Sequence, residues 1–187
     1  MIAIVDYRAG NLTSVKLAFA AIGVEARATS DPAVVAAAER VVFPGVGAAK
    51  SAMDNLRSLG LESAVREAAR TKPFLGICLG MQILFESTEE DGGVPLLGIF
   101  PGKVRRFPDV PGCKVPQIGW NNVDGGKYYY FVHSYYAEKG PWTAGTTEYA
   151  GVEFTSIARS GALLACQFHP EKSGRAGLEL LKGFASC

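Results

Sequence analysis

The chain has 187 residues, of which 48% are hydrophobic and 20% are charged, and its formal net charge at pH 7 is +1. This length suits one domain with a sizeable core, and the balanced charge gives no electrostatic reason to expect binding to nucleic acid or an anionic membrane. No apolar run reaches the ~18 residues of a membrane span, and the first residues lack the pattern of a signal peptide. We therefore expect a cytoplasmic globular protein.

The cysteines and histidines limit the kinds of site that the chain can build. The cysteines show no CxxC spacing, and in a cytoplasmic protein they are expected to be free thiols. They are Cys78, Cys113, Cys166 and Cys187. The two histidines, His133 and His169, do not stand at the spacing of zinc ligands. A structural metal site is therefore not expected.

The first half of the chain alternates short apolar runs with helical patterns. The apolar runs predict strands at 2–5, 24–29, 40–43 and 74–77. The helical patterns predict helices at 12–21, from Pro32 to near Glu39, and at 48–59, 61–70 and 79–86, with Asn11 as the N-cap of the first. This alternation is typical of a parallel sheet covered by helices on both faces, in which ligands bind at the carboxyl ends of the strands.

The second half is rich in β-branched and aromatic residues that Pro and Gly interrupt. It predicts mostly antiparallel strands at 103–107, 117–120, 128–136, 146–149, 152–159 and 163–168, and a closing helix at 173–184. Because we find no repeat and no linker, we predict one domain, 1–187. Its class is α/β, with three layers: a mostly parallel central sheet flanked by helices, with additional antiparallel strands.

One segment joins a buried strand, a tight turn and a helix start around a cysteine. In Gly76-Ile-Cys-Leu-Gly80, Cys78 lies between two glycines directly after the apolar run 74–77. Gly-x-Cys-x-Gly is the thiol analogue of the Gly-x-Ser-x-Gly nucleophile elbow, and the glycines are expected to allow a sharp backbone turn. The helix start favours a thiolate, the nucleophilic form. The alternative is a buried core cysteine at a strand end.

A thiol nucleophile needs a base and a group that orients the base. His169 precedes a proline, so its backbone is biased toward an extended conformation, and Glu171 then projects on the same side. Cys78, His169 and Glu171 are therefore our candidate triad. The alternative is a strand end with an exposed glutamate. His133 is the other possible base, but it lacks an acid two residues away, and we expect it to be structural.

Attack on an acyl carbon also needs hydrogen-bond donors for the developing oxyanion. The N–H of Leu79, next after the nucleophile, is one candidate. The N–H of Val46 or Gly47, in Pro44-Gly-Val-Gly47 after the third strand, is the second. Because glycines flank this peptide, it has freedom to rotate, and we hypothesise that the oxyanion hole forms in only one state of the protein. The alternative is an ordinary strand-to-helix turn.

Polar residues near these segments are candidates for binding a substrate. Gln82 lies one helical turn after the cysteine, and Glu90 follows in the next loop, where its carboxylate can pair with a substrate ammonium group. Ser134 and Tyr135 are candidates for gripping a carboxylate, and Gly45 for backbone contact with the substrate. The alternatives are an exposed helix glutamine, a solvated acidic loop and a strand that ends in a turn.

The segments Gly76-Ile-Cys-Leu-Gly-Met-Gln82 and His169-Pro-Glu171 together resemble the class I (triad) glutamine amidotransferases. In that family, a cysteine attacks the side-chain amide of glutamine, ammonia leaves, and water hydrolyses the thioester. The resemblance implies a flavodoxin-like, class I amidotransferase-like fold, a triad of Cys78, His169 and Glu171, and no cofactor or metal.

Five further segments narrow the resemblance to the glutaminase subunits of imidazole glycerol phosphate synthase. They are Asp6-Tyr-Arg-Ala-Gly-Asn11, Pro44-Gly-Val-Gly47, Pro116-Gln-Ile-Gly-Trp-Asn121, Phe131-Val-His-Ser-Tyr-Tyr136 and His169-Pro-Glu-Lys-Ser173. The resemblance covers essentially the whole chain. It implies a heterodimer with a (β/α)8-barrel cyclase that uses the ammonia to form imidazole glycerol phosphate and an aminoimidazole carboxamide ribonucleotide, at the branch between histidine and purine synthesis.

The same resemblance places Asn11, Trp120 and Lys172 on the cyclase side, and it implies low activity of the free glutaminase. The segment 122–129 is shorter than in the family that the chain resembles. We expect this difference to alter the rim of the interface with the cyclase and to leave the triad unchanged. Three alternatives stay open: a class I glutaminase that serves another synthase, a cysteine peptidase or esterase on the same scaffold, and a binding module with a relic triad.

Overall fold

A large mixed sheet runs through the centre of the molecule. The computed structural model describes residues 1–8 and 11–186. In this part of the chain, the main sheet has 11 strands and two further strands form a separate hairpin. The strands are β1 (Ile2–Val5), β2 (Ala26–Thr29), β3 (Arg40–Gly45), β4 (Phe74–Cys78), β5 (Ser87–Thr88), β6 (Val94–Pro95), β7 (Lys103–Arg106), β8 (Gln117–Asn122), β9 (Tyr128–His133), β10 (Tyr135–Ala137), β11 (Thr143–Tyr149), β12 (Val152–Ser160) and β13 (Leu163–Cys166).

Helices cover both faces of the main sheet. They are α1 (Leu12–Ala21), α2 (Pro32–Ala37), α3 (Ala49–Ser58), α4 (Glu62–Thr71), α5 (Leu79–Gln82) and α6 (Gly174–Ser186), with 3-10 turns at Glu90–Gly92 and Pro170–Lys172. The second to fifth helices pack on one face, and the first and sixth on the other. Residues 9 and 10, part of the segment 6–11 in the resemblance, and Cys187, predicted as a free thiol, lie outside the described residues.

The parallel part of the sheet positions the cysteine. Its strands are ordered β2-β1-β3-β4-β13, and each adjacent pair is parallel. Every residue of β1 and β4 is buried, because helices cover both faces of a parallel sheet. Gly45, at the end of β3, lies opposite Cys78, at the end of β4. The loop after β3 therefore meets the elbow at one edge of the sheet.

Antiparallel strands extend the sheet beyond β13. The order continues β12-β10-β7-β5-β6, and β11 pairs with β12. Of these neighbours, only β5 and β7 are parallel. The structure confirms the α/β class with three layers, a parallel central sheet and additional antiparallel strands. The two-residue strands β5 and β6 were not predicted from the sequence.

The predicted strand 128–136 is wrong in one respect, because it is two strands. β9 pairs only with β8, in the separate hairpin, whereas β10 pairs with β7 and β12 in the main sheet. Ser134 lies at the break, and its carbonyl oxygen accepts a 3.0 Å hydrogen bond from the backbone N–H of Phe107. The chain therefore changes sheets within an unbroken apolar pattern.

The predicted helix 79–86 is also wrong in its length, because α5 ends at Gln82. The N–H of Ile83 still bonds four residues back, to Leu79, but the next two amides bond three residues back. The carbonyl oxygens of residues 83–85 accept instead from backbone N–H groups of residues 97–100, at 2.6 to 2.9 Å. This tertiary pairing takes the acceptors that a longer helix requires.

Candidate active site

Cys78 occupies the sharp turn between β4 and α5. Its backbone has φ 54° and ψ −112°, a conformation that residues with side chains rarely adopt. Such strained conformations are concentrated at functional sites. The residue is 6% exposed and lines a cavity of about 420 Å³. A thiol in this position is held within a rigid frame and is open to a small molecule.

The turn lies in Cys78 itself and not, as predicted, in the flanking glycines. Neither Gly76 nor Gly80 has a positive φ. A Cβ on Gly80 would overlap the carbonyl oxygen of Phe43, and a Cβ on Gly76 would lie 3.1 Å from the Leu84 side chain. The glycines therefore allow the start of α5 to pack directly on β3 and β4.

His169 and Glu171 form a buried pair beside the elbow. His169 Nδ1 lies 2.7 Å from Glu171 Oε1, and the two side chains are 1% and 0% exposed. His169 has the extended backbone expected before a proline, at φ −98° and ψ 96°, but Glu171 returns to it through the 3-10 turn and not along a strand. Asn11 is the N-cap residue of α1, as predicted, but its side chain makes no cap hydrogen bond to the helix. It donates instead to the same carboxylate oxygen of Glu171.

The charge on His169 is stabilised by its neighbours. Burial alone would lower the pKa of the imidazole, but Cys78 and Glu171 together raise it above its ordinary value. Nε2 is buried and has no hydrogen-bond partner of ordinary geometry among the described residues. The ring is therefore fixed at Nδ1 and keeps Nε2 for exchange of a proton with the sulfur or with a bound molecule.

His133 lines the same cavity but is bonded at both ring nitrogens. Nδ1 lies 2.8 Å from the carbonyl oxygen of Tyr135, and Nε2 lies 3.0 Å from the side-chain amide of Gln117. Burial lowers its pKa to about 4, so the ring is neutral at pH 7. These bonds suit the structural role expected for His133, whereas His169 has a free nitrogen.

The cavity brings together most of the residues selected from the sequence. Its lining includes Val46, Gly47, Cys78, Leu79, Gln82, Glu90, Ser134, Tyr135, His169 and Lys172. Gly45 is buried beneath the lining, opposite Cys78. Glu171 and Asn11 stand behind His169. Trp120 is not part of the lining and is 57% exposed on the hairpin. The residues proposed for chemistry and substrate binding therefore surround one space.

Glu90 joins the substrate side of the cavity to the loop after β3. Glu90 Oε2 accepts a 2.7 Å hydrogen bond from the backbone N–H of Ala49, the first residue of α3. Burial is the main cause that raises the pKa of this carboxyl group. Gly47, two residues before, has φ +96°, which favours glycine. The carboxylate thus holds the end of the candidate oxyanion loop while it faces the cavity.

Two buried amides lie in sequence beside the sulfur, and the second of them contacts it. Gln82 Nε2 donates to the Tyr135 carbonyl oxygen at 2.8 Å and to Gln167 Oε1 at 2.9 Å. Gln167 Nε2 lies 3.7 Å from Cys78 Sγ. Gln167 was not selected from the sequence, although the alternation of side chains in an extended segment places residues 167 and 169 on the same side.

One face of the β8–β9 hairpin carries apolar side chains into solvent. Ile118, Trp120 and Tyr128 are 64%, 57% and 58% exposed. Trp120 lies opposite Tyr130 in the register, with their rings edge to face at 6.2 Å, and Lys172 Nζ lies 6.0 Å above the Tyr130 ring. We call Ile118, Trp120, Tyr128 and Tyr130 the hairpin face. Exposed apolar clusters of this kind mark interaction sites.

Two negative findings apply to the described ranges 1–8 and 11–186. No helix there is long and apolar enough to cross a membrane. No group of three or more His, Cys, Asp or Glu side chains there is arranged to hold a metal ion.

Comparison with known families and proteins gives consistent matches along the chain. The model of the family described as glutamine amidotransferase class-I matches residues 3–186. The chain is 46% identical to the imidazole glycerol phosphate synthase subunit HisH of Acinetobacter baylyi, over 98% of this chain and 96% of that protein. Identity to the HisH subunit of Dechloromonas aromatica is 49%, over 98% and 94%. Identity to that of Methanothermobacter thermautotrophicus is 47%, over 98% and 97%.

Solved structures share the fold at much lower identity. A crystal structure of a glutamine amidotransferase superposes with a TM-score of 0.78 at 21% identity, over 100% of this chain and 98% of that chain. A chain of PurLQS from Thermotoga maritima superposes with a TM-score of 0.69 at 14% identity, over 99% and 97%. At these identities, the likeness is one of fold.

Proposed function

The chain belongs to the class I glutamine amidotransferase family, and we propose that it is the glutaminase subunit of an imidazole glycerol phosphate synthase. It hydrolyses glutamine to glutamate and ammonia. One observation carries the proposal. A chain that is 46% to 49% identical to named HisH subunits also has Cys78 and the His169–Glu171 pair at one cavity.

The first half of the reaction forms a thioester. Cys78 Sγ attacks the side-chain amide carbon of glutamine, and its proton moves to His169 Nε2. The oxygen of the tetrahedral intermediate is held by the N–H of Leu79 and by that of Val46 or Gly47. Glu171 keeps the ring in place through Nδ1. His169 then gives the proton to the leaving nitrogen, the C–N bond breaks, and ammonia departs.

The second half hydrolyses the thioester. Once the sulfur is acylated, it no longer carries the negative charge that favours protonated His169. The imidazole can therefore act as the base that takes a proton from water as the oxygen attacks the thioester carbon. The C–S bond breaks, glutamate leaves and the thiol is restored. The same histidine serves as acid and then as base because the charge of its neighbour changes.

Polar groups at the cavity wall fit the free end of glutamine. The Glu90 carboxylate faces the cavity and pairs with the substrate ammonium group. Ser134 and Tyr135, at the break between the two sheets, bind the substrate carboxylate. Gln82 uses both hydrogens of its amide within the protein, so its oxygen is the atom left for a substrate donor. Gly45 lets the backbone beneath the loop approach the elbow closely.

A second subunit would use the ammonia. The relatives are named as subunits of a synthase, which supports a partner for this chain. We propose that the partner is a (β/α)8-barrel cyclase in a cytoplasmic heterodimer, and that it contacts Trp120, Lys172 and the side of the site near Asn11. The exposed hairpin face and its continuity with Lys172 at the cavity favour this docking surface. Ammonia passing directly into the barrel avoids loss to solvent and protonation.

An assay of glutamate release tests this function. The chain is mixed with a barrel cyclase and its nucleotide substrate, and release of the carboxylic acid product is compared for glutamine, asparagine, a small ester and a short peptide. We expect turnover of glutamine that rises when the cyclase and nucleotide are present. Absence of glutamine turnover in the complex would refute the proposal. Preference for the ester or for a peptide would instead favour a cysteine hydrolase on the same scaffold.

A further inference from the structure

A line of hydrogen bonds leads from the substrate side of the cavity to the sulfur through two buried side chains. It begins at the carbonyl oxygen of Tyr135, passes through the amides of Gln82 and Gln167, and ends at Cys78 Sγ. Gln167 is 0% exposed and Gln82 is 6% exposed. A buried amide is costly unless its polar atoms are bonded, so this arrangement holds both side chains in defined positions.

The direction of each bond follows from the first acceptor. A backbone carbonyl can only accept, so the atom of Gln82 that faces Tyr135 must be the nitrogen. The other hydrogen of that nitrogen points to Gln167, whose facing atom must therefore be the oxygen. The nitrogen of Gln167 is then left for the sulfur. The bond at 3.7 Å thus has a fixed sense, with the amide as donor and the sulfur as acceptor.

A second polar contact of the sulfur has the opposite sense. The carbonyl oxygen of Val132 lies 3.9 Å from Sγ, and it can only accept a proton from the thiol. The thiol is therefore satisfied by Val132, whereas a thiolate has Gln167 as a neutral donor besides the protonated His169. A donor to an ionised acceptor contributes more than a bond between neutral groups.

We propose that Gln167 is a catalytic residue that donates a hydrogen bond to the nucleophilic sulfur and stabilises its thiolate, and that Gln82 is the positioning residue that fixes the orientation of this donor. The proposal rests on the proposed function, because it takes Cys78 as the nucleophile. Gln82 thereby gains a second role, because a substrate held by its oxygen is linked through two amides to the attacking atom.

Glu90, His133 and Lys172 line the same cavity as the sulfur, and three further titratable groups interact with the sulfur itself. His169 follows β13, Tyr7 follows β1, and Cys166 lies within β13, and each interacts electrostatically with Cys78. Burial raises the pKa of the Tyr7 hydroxyl and of the Cys166 thiol far above their ordinary values, so both are neutral near pH 7. His169 is thus the one of these three that carries a charge near pH 7, because its pKa is raised above the ordinary value, and Gln167 acts beside it without titrating.

Alkylation of Cys78 as a function of pH tests the proposal. The full chain is treated with iodoacetamide between pH 5 and pH 10, and the peptide containing Cys78 is quantified by mass spectrometry, which separates it from the other cysteines. We expect Gln167→Met to move the midpoint of the profile up by about one pH unit, with roughly tenfold slower alkylation near neutral pH. Methionine keeps the length and burial of the side chain but has no donor.

Ser156→Ala is the matched control. Ser156 is 0% exposed, its carbonyl oxygen accepts the backbone N–H of Gln167 at 2.9 Å, and its hydroxyl has no partner among the described residues. The profile of this variant should equal that of the parent. A shift as large as that of Gln167→Met would assign the effect to strand packing and overturn the proposal. So would a folded Gln167→Met protein with the parent profile.

If Gln167→Met does not fold, Gln82→Met decides the question. It leaves the donor in place but removes its orientation, so the midpoint should rise by less than one unit, and an unchanged profile overturns the proposal. Alkylation needs neither glutamine nor the cyclase. A shifted profile in a protein that never hydrolyses glutamine would therefore retain the role of Gln167 and reject the proposed function. Normal glutamine turnover with an unshifted alkylation profile would retain the proposed function and reject the role of Gln167.

Discussion

The elbow and the hairpin face lie close to the same cavity, but they differ in how far this chain buries their side chains. Around the elbow, Cys78 is 6% exposed and Gln167 and His169 are 0% exposed. On the hairpin face, Ile118 and Trp120 are 64% and 57% exposed. The first region is closed within the chain, whereas the second leaves large apolar side chains in water.

The contrast suggests that the two regions have different roles. A cysteine, a histidine fixed at one nitrogen and buried amide donors supply the parts of an acyl-transfer reaction from one polypeptide. An exposed aromatic cluster beside them suits docking of a second chain, because such side chains dominate the energy of interfaces. Changes at the elbow should therefore abolish chemistry in any assembly state, whereas changes at the hairpin face should act through the partner.

Removal of the nucleophile should have the largest effect. We expect Cys78→Ala to lower glutamine turnover by roughly 10⁴-fold or more in the complex. Binding of the cyclase, measured by titration calorimetry, should stay within about twofold of the parent value, because Cys78 is buried. Residual turnover above a tenth of the parent rate would show that another group is the nucleophile.

Loss of the orienting carboxylate should come next. In Glu171→Gln the side chain can donate to His169 Nδ1, which favours the wrong tautomer of the ring. We expect kcat to fall roughly 10²- to 10⁴-fold with little change in KM. Steady-state kinetics of the complex provide the measurement. A variant that changes only KM would place Glu171 in substrate binding and not in the triad.

A smaller effect is expected at the hairpin face, and it should be confined to docking. Trp120→Ala should weaken binding to the cyclase by roughly 30-fold and leave the glutaminase rate of the free chain unchanged. The control is Leu17→Ala on α1, which removes a side chain that is 65% exposed and outside both regions. Equal affinities for the two variants would remove the hairpin face from the interface.

The two histidines at the cavity should affect the stability of the protein differently as the pH changes. The unfolded chain binds a proton at His133 below its ordinary pKa of 6.5, whereas the folded protein does not until about pH 4. The contribution of neutral His133 to stability is therefore present above pH 6.5 and lost as the pH falls toward 4. His169, whose pKa is raised, contributes with the opposite sign and above this window.

Between pH 6.5 and pH 5, His133 should lower the free energy of unfolding by up to about 2 kcal/mol. His133→Gln removes the titration and can still bond to neighbouring groups, so its stability should fall less over the same interval. Urea unfolding at the two pH values gives the comparison, because other titrating groups contribute equally to both proteins. Parallel loss of stability would contradict the assignment of a neutral buried ring.

The parts of the fold that were predicted are those with a strong local signal. β1 and β4 are continuous apolar runs because they are buried on both faces, and the position of Cys78 at the end of β4 followed from that pattern. The split of the strand 128–136 at Ser134 could not be predicted in this way. Both halves are apolar, and only their partners in two different sheets separate them.

The residues of the candidate site also differ in whether a local sequence signal identifies them. The cavity contains Cys78, His169 and Gln82, whose types and spacing fit the chemistry that we propose. The alternation of side chains places Gln167 on the same side as His169, but its contact with the sulfur depends on the break of the chain near Tyr135 and on the early end of α5. Asn11 was taken as a helix cap and an interface residue, and only the fold shows its contact with Glu171. Such roles depend on long-range contacts that a single sequence does not display.

The most direct test of the central claim is to trap the acyl intermediate. The complex with the cyclase and its nucleotide is given glutamine, quenched in acid within one turnover, and digested for mass spectrometry. We predict a glutamyl thioester on the peptide that contains Cys78, and none on the peptides of the other cysteines. Rapid release of glutamate with no adduct on Cys78, or with an adduct on another cysteine, would contradict the account.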